Sequence, residues 1–256
     1  MNDPSQIRSV RPPDALAPWV AGVWTVEAED GHAVHTAPDG CIDIVLIAND
    51  EFEGAFVCGA QRASVSRTLA GKTRIAGVSL RPGAGAILGV SAISLPPDWL
   101  PLVELGLGGI APSKGVEGLL GWIAERAARA DFDPRLEEAL AGMTAGVGPP
   151  SVAALARGAG VSERTLGRLF DRYVGMSPSA YRRIVRFNRA VAALSSTDPD
   201  SLAGLAFSLG FADQSHLARE LRELGGVRAT RLRTARLAGQ FDATPISSRA
   251  TAKHLS

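Results

Sequence analysis

At 256 residues the chain can build one large core or two smaller ones, and 46% apolar with 21% charged residues is ordinary for a folded protein in water. No apolar run reaches the roughly 20 residues that cross a bilayer, and no hydrophobic signal core opens the sequence, so a cytoplasmic protein with no membrane partner is expected. Two cysteines, Cys41 and Cys58, are too few for a disulfide framework or a structural zinc site.

The net charge of +1 conceals an asymmetry. Residues 1–150 hold 11 Lys+Arg against 18 Asp+Glu, whereas residues 151–256 hold 16 against 8. All but one of those 16 are arginine, the exception being Lys253. A basic half rich in planar, bidentate guanidinium groups suits a polyanion.

In chain order, residues 14–26 open as a short helix or turn and carry Trp19 and Trp24. Residues 32–82 read as strands. Pro38-Asp39-Gly40 is a turn that leads into the β-branched run 41–49, with further strands at 55–59 and 74–81. The last ends at Pro82-Gly83, which a sheet ladder does not continue through. Residues 84–110 read as mixed turns and short helices. Ser113 is the expected cap of a helix over 114–129, and Asp133 with Pro134 opens a helix to about Met143. Residues 144–150 form a short linker by composition, and beyond about Thr234 the chain has no sustained apolar period.

Self-comparison of the basic half is the most informative step. Ser151 matches Ser201, Leu155-Ala156 matches Leu205-Ala206, and Gly160 matches Gly210, all at an offset of 50. One inserted residue shifts the offset to 51, after which Leu166 matches Leu217, Arg168 matches Arg219 and Gly175 matches Gly226. Each copy has the pattern of a helix-turn-helix: a capped first helix with a small Ala at the crossing, a glycine turn, and a second helix with one apolar face. Those faces are Leu166, Leu169, Phe170 and Tyr173, and Leu217, Leu221 and Leu224. A helix over about 180–196, on the order of 25 Å long, joins the copies. That length suits two recognition helices in successive major grooves, about 34 Å apart.

Residues 131–234 resemble the DNA-binding domain of the AraC/XylS family of bacterial transcription regulators. The matching pieces are LARGAGVSERTLGRLF, GMSPSAYRRIVRFNRA and LAFSLGFADQSHLARELRELGG. The resemblance implies that one monomer carries both units and that the partner is double-stranded promoter DNA. A small-molecule effector or a second copy of the chain would be met by the N-terminal half, and RNA polymerase by an activator. In the first unit Ser162 is the expected cap, and Glu163, Arg164, Thr165, Gly167, Arg168, Asp171 and Arg172 are the exposed set. Arg164, Gly167 and Arg168 take the family's base-reading positions. In the second unit the exposed set is Asp213, Gln214, Ser215, Ala218, Arg219 and Arg222, with Gln214 suited to adenine and Arg219 to guanine or phosphate. The family often ties the position of Arg168 and Arg219 into an internal pair. This sequence departs from the family at Gly167, at Leu217 and Leu221 in place of aromatics, at Arg228-Ala229 in place of Ser-Pro, and at Leu232 in place of Tyr. Glu220 and Glu223 add negative charge to the second recognition helix.

The segment from Pro13 to about Leu107 resembles an uncharacterised sensor-like domain found in front of such units, through LAPWVAGVWTV, APDGCIDIVL and GVSLRPGAGAILG. Three readings stand for its polar residues. Trp24, Asp43 and Arg81 line an effector pocket; or His32, His35, Cys41 and Asp43 hold a metal; or Asp39 caps its turn, Asp43 pairs with Arg81 and the tryptophans are core. All three stay open; Trp24, Asp43 and Arg81 are the candidate effector residues, and no metal and no cofactor are expected. No Gly-rich phosphate loop, nucleophile elbow or HExxH is present, and two cysteines without CxxC spacing do not make a methyl-acceptor module, so no enzyme is expected. The fold expected is α+β. A β-rich effector-binding or dimerisation domain with a trailing helix (1–130) precedes an all-α double helix-turn-helix (131–234) and a tail (235–256).

Overall fold

The computed structural model describes residues 8–146, 148–196 and 202–226. The expected Ser201 cap, the departures at 228–232 and the tail at 235–256 lie outside the described residues. What is described is α+β, a β-rich N-terminal region followed by helices.

Among the described residues eight strands form two sheets: β1 (Arg8–Val10), β2 (Val20–Ala28), β3 (Ala33–Thr36), β4 (Ile42–Ala48), β5 (Glu53–Cys58), β6 (Val65–Thr68), β7 (Thr73–Leu80) and β8 (Trp99–Pro101). The main sheet has the order β1-β2-β7-β4-β5-β8 with every neighbour antiparallel, and β3 pairs with β6 in a separate ribbon. The turn into β4 is built locally. Asp39 Oδ1 accepts the Cys41 N–H at 2.8 Å, and Gly40 takes a left-handed φ of +76°. From there the β-branched run alternates between two buried faces. Ile42, Ile44 and Leu46 face the main core with Val23, Val57, Val78 and Leu80, while Val45 and Ile47 face Val26, Leu69 and Ile75.

Strand β2 went unread in the sequence beyond its opening turn. Its buried positions do not alternate, because the register against β7 shifts between Val20 and Gly22, and a bulge inverts the inward phase. The residues 84–110 hold short 3-10 turns at Ala84–Leu88, Ala92–Ser94 and Leu102–Leu105, together with the unread strand β8.

The helices are α1 (Gly115–Ala127), α2 (Pro134–Thr144), α3 (Val152–Gly158), α4 (Glu163–Tyr173), α5 (Pro178–Ser196), α6 (Leu202–Ser208) and α7 (Gln214–Gly225). Ser113 does not cap α1. It lies inside a 3-10 turn, Pro112–Lys114, which places Lys114 at the cap position with no side chain bonded to the helix. Asp133 does cap α2, accepting from Arg135 N at 3.0 Å. Its carboxyl is held below the usual range by the Arg135 guanidinium and that backbone N–H.

The main core runs without interruption from the sheet into α1–α5, joining Ile44, Val78 and Leu80 to Leu119, Ile123, Met143, Leu166, Phe170 and Tyr181. A second core is formed by Phe187, Val191 and Leu194 of α5 with Ala206, Phe211, Leu217, Leu221 and Leu224, and it includes Ala37 from the strand half. The β3–β4 turn therefore touches α5 between the two helical units. Gly40 lies against the Tyr181 ring, and Asn188 Nδ2 donates to the Pro38 carbonyl at 3.0 Å.

Candidate nucleic-acid interface

The two copies close their turns with matching bonds. In the first, Gly160 N donates to Arg157 O at 3.1 Å and Val161 N to Ala156 O at 2.9 Å; in the second, Gly210 N donates to Phe207 O at 3.0 Å and Phe211 N to Ala206 O at 2.9 Å. Gly160 and Gly210 have φ of +67° and +73°, the left-handed backbone that ends a helix with little strain only at glycine. Ala156 and Ala206 are both buried, as the close crossing of two helices requires. The inserted residue falls between the turn glycine and the next cap. Ser162 stands two residues after Gly160, Asp213 three after Gly210, and each caps its helix: Ser162 Oγ accepts from Thr165 N at 3.1 Å, Asp213 Oδ1 from His216 N at 2.7 Å.

On α4 the apolar face is buried at Leu166, Leu169 and Phe170. The other face presents Glu163, Arg164, Arg168, Asp171 and Arg172 to solvent, with Thr165 and Gly167 half-buried. Arg164, Arg168 and Arg172 are spaced by four and form one basic stripe. Ser162 is engaged as the cap through Oγ, which also lies 3.0 Å from Thr165 Oγ1. The stripe ends beside the strand half. Arg168 and Arg172 line an open recess of about 460 Å³ together with Val90 and Ser91, and Ser91 Oγ donates to the Asp171 carbonyl at 3.4 Å.

On α7, Gln214, Ser215, Ala218, Arg219 and Arg222 are exposed. Neither Arg168 nor Arg219 is tied into an ion pair among the described residues, which departs from the family habit. The internal pair occurs one residue on, at Glu220. This residue, only 7% exposed, receives Arg183 Nε of α5 at 3.0 Å on each carboxylate oxygen, and Arg183 Nη2 also meets Glu223 at 2.8 Å. Bonding to Glu220 holds the Arg183 guanidinium above its ordinary range. The two acidic residues read as negative charge on α7 are thus both paired with one arginine of α5, which offsets one of their two charges.

The other arginines of α5 are spent in the same way. Arg182 Nε donates to Pro149 O at 3.2 Å, Arg189 Nη2 to Thr144 O at 2.7 Å, and Arg186 Nη1 to Gly210 O at 3.3 Å with its guanidinium over the Phe211 ring. Burial pushes Arg186 and Arg189 below their ordinary range. Part of the basic excess of this half therefore braces the two units. Arg182, Arg183, Arg186 and Arg189 stand at i, i+1, i+4 and i+7, one face of the joining helix, and nothing local showed that this face turns toward backbone carbonyls and Glu220.

In the strand half Trp24 and Asp43 come together through a residue the sequence reading missed. Trp24 Nε1 donates to Ser79 Oγ at 3.1 Å, and Ser79 Oγ donates to Asp43 Oδ1 at 2.6 Å. Arg81 Nε donates to the Ala17 carbonyl at 2.5 Å. Trp19 stacks on Phe132 with centroids 4.0 Å apart. Among the described residues no three His, Cys, Asp or Glu side chains gather as a metal-binding group. No helix among them is long and apolar enough to cross a membrane.

Gly167 offers a direct test of the α4 surface. A Cβ there meets nothing within 4 Å. Gly167→Ala is expected to stabilise the chain by about 1 kcal/mol through helix propensity, read as a higher urea midpoint with the DNA-free protein.

Two family models match the chain. A helix-turn-helix domain covers residues 155–235, and a domain of unknown function (DUF6597) covers residues 8–95. No curated protein matches it. Among solved structures, a transcriptional regulator with an AraC-type DNA-binding domain from Chromobacterium violaceum is 34% identical over 40% of this chain and 92% of its own, with a TM-score of 0.38. ToxT from Vibrio cholerae is 8% identical over 89% of this chain and 98% of its own, at 0.44, and has been solved with an unsaturated fatty acid bound. CdpR from Pseudomonas aeruginosa, a transcriptional regulator, is 21% identical over 66% of this chain and 47% of its own, at 0.31.

Proposed function

This chain belongs to the AraC-type family of DNA-binding transcription regulators, and from that premise we propose that one monomer lays α4 and α7 into two successive major grooves. The observation that carries this reading is the paired helix-turn-helix joined by α5, 19 residues or about 28 Å long, with an exposed polar face on each second helix. In the first unit Arg164 and Arg168 read bases or phosphates, Glu163, Thr165 and Arg172 flank them, and Ser162 brings the helix N-terminus to the backbone. In the second, Gln214, Ser215, Arg219 and Arg222 make the contacts, with Gln214 the candidate reader of adenine. Specificity comes mainly from α4, because the second unit departs further from the family pattern, at Leu217 and Leu221, and carries Glu220 and Glu223 on its reading helix.

Residues 131–234 then form the DNA-binding half and residues 1–130 the sensing or pairing half. The Trp24–Ser79–Asp43 chain supports an effector that meets Trp24, Asp43 and Arg81, and a second copy of the chain is the other partner of this half. As an activator the protein would also meet RNA polymerase.

The test is a gel-shift titration on the promoter upstream of the protein's own gene, with unrelated DNA as competitor and salt varied. Specific retardation is expected, falling steeply with salt, and Arg164→Ala should weaken it by about 10- to 100-fold while sparing the competitor complex. No retardation even at low salt would sink the DNA-binding role.

A further inference from the structure

The basic stripe of α4 does not run out into open solvent. Past Arg168 the helix lies alongside the Gly89–Ser91 turn of the strand half, and Arg168, Asp171, Arg172 and Tyr173 share with that turn the lining of the open recess of about 460 Å³. Beside the recess, backbone packs on backbone. A Cβ at Gly85 would come 2.8 Å from the Tyr173 carbonyl oxygen, and one at Gly175 would come 2.9 Å from the Ala92 carbonyl oxygen. These approaches leave no room for an intervening side chain, so the turn keeps a fixed place beside the reading helix.

The recess has the charge and the position to meet a phosphate. Arg168 and Arg172 are exposed, and the Arg172 guanidinium lies 5.1 Å from the centre of the Tyr173 ring. Asp171 is the one acid of the lining, so positive charge is in excess there. Ser91 is also exposed, and its bond to the Asp171 carbonyl, at 3.4 Å, is long for a hydroxyl donor, which leaves the group able to turn to a better acceptor. Arg172 stands eight residues after Arg164, or about 12 Å along the helix axis. The major groove is about 12 Å wide. With Arg164 over the base edges, Arg172 and the recess fall where the sugar-phosphate strand borders the groove.

We infer that the strand half is itself part of the DNA-binding surface: the Gly89–Ser91 turn and Arg172 together hold one phosphodiester of the strand that borders the α4 groove. This inference rests on the DNA-binding reading and adds to it a contact from outside both helix-turn-helix units. A phosphate contact carries no base information. It sets the register and depth of α4 in the groove.

The test is a gel shift with the full chain at several salt concentrations. Ser91→Lys puts a cation at the recess and is expected to steepen the fall of log K with log salt by about 0.9, the effect of one neutralised phosphate. A fourfold drop in salt should then strengthen this variant about threefold more than the parent. Such a gain cannot come from misfolding. Ser91→Glu should weaken binding about fivefold at low salt. Both effects should appear on the promoter and on unrelated DNA alike, unlike Arg164→Ala, which removes the promoter's advantage. Val103→Lys, on another turn of the strand half and 73% exposed, should leave the slope unchanged. Ser91 variants that match the parent in slope and affinity, or an equal steepening in Val103→Lys, overturn the strand-half contact and leave the reading by α4 and α7 standing. A parent chain that retards no DNA removes both.

Discussion

Arg183→Met is expected to loosen α7 by about 3 kcal/mol, seen as amide exchange along that helix some 100-fold faster than in the parent chain. The cost arises at the partner. Glu220 keeps 10% of its side-chain surface exposed, so without Arg183 its carboxylate stays buried, with His216 Nε2 at 3.8 Å the remaining group in ion-pair range among the described residues. Arg183 itself is 42% exposed and would lose less than Glu220 if the roles were reversed, because Glu223 still pairs with it. The double variant Arg183→Met with Glu220→Leu should return to within about 1 kcal/mol of the parent, since an apolar pair of similar volume replaces a buried ion pair at little cost. Exchange in α7 that is unchanged in the single variant, or not restored in the double, would refute this account of the α5–α7 contact.

Gly40→Ala is the second large effect, about 3 kcal/mol on the thermal or urea transition followed by tryptophan fluorescence. Two terms combine. A left-handed backbone at φ +76° costs a residue with a Cβ roughly 1–2 kcal/mol, and that Cβ would lie 2.5 Å from Tyr181 Cε2. Tyr181 has no room to retreat, being 1% exposed and packed on Phe170 with ring centroids 5.9 Å apart. Gly31→Ala isolates the backbone term, for Gly31 has the same φ of +76° and nothing within 4 Å. It should cost about 1 kcal/mol. Equal losses in the two variants would mean that the β3–β4 turn does not press on α5 at Gly40.

The parts of this molecule that were legible in its sequence are those specified within a few residues. Ser162 caps the Thr165 amide three positions away, Gly160 and Gly210 set their turns in place, and the β-branched run of β4 declares its own extended backbone. The exposed faces of α4 and α7 followed from period alone, which is why the candidate contacts at Arg164, Arg168, Gln214 and Arg219 needed no tertiary knowledge. Contacts between distant positions were not readable. Ser79 joins Trp24 to Asp43 across separations of 55 and 36 residues, and Arg183 finds Glu220 at 37. The only local trace of Ser79 was a lone hydroxyl in the apolar run GVSL. A bulge in β2 erased the alternation by which a strand is normally recognised, and a glycine start to α1 made the nearby Ser113 a false cap.

The extra residue in the second turn, together with the different side chains of α4 and α7, has a consequence for how a site on DNA would be arranged. Two unlike readers strung in fixed order along α5 share no two-fold axis, so a duplex filled by both has a head and a tail. Such a site is not a palindrome. Reversing it within a promoter would leave its base composition and its affinity unchanged while turning the strand half of the protein toward the opposite flank.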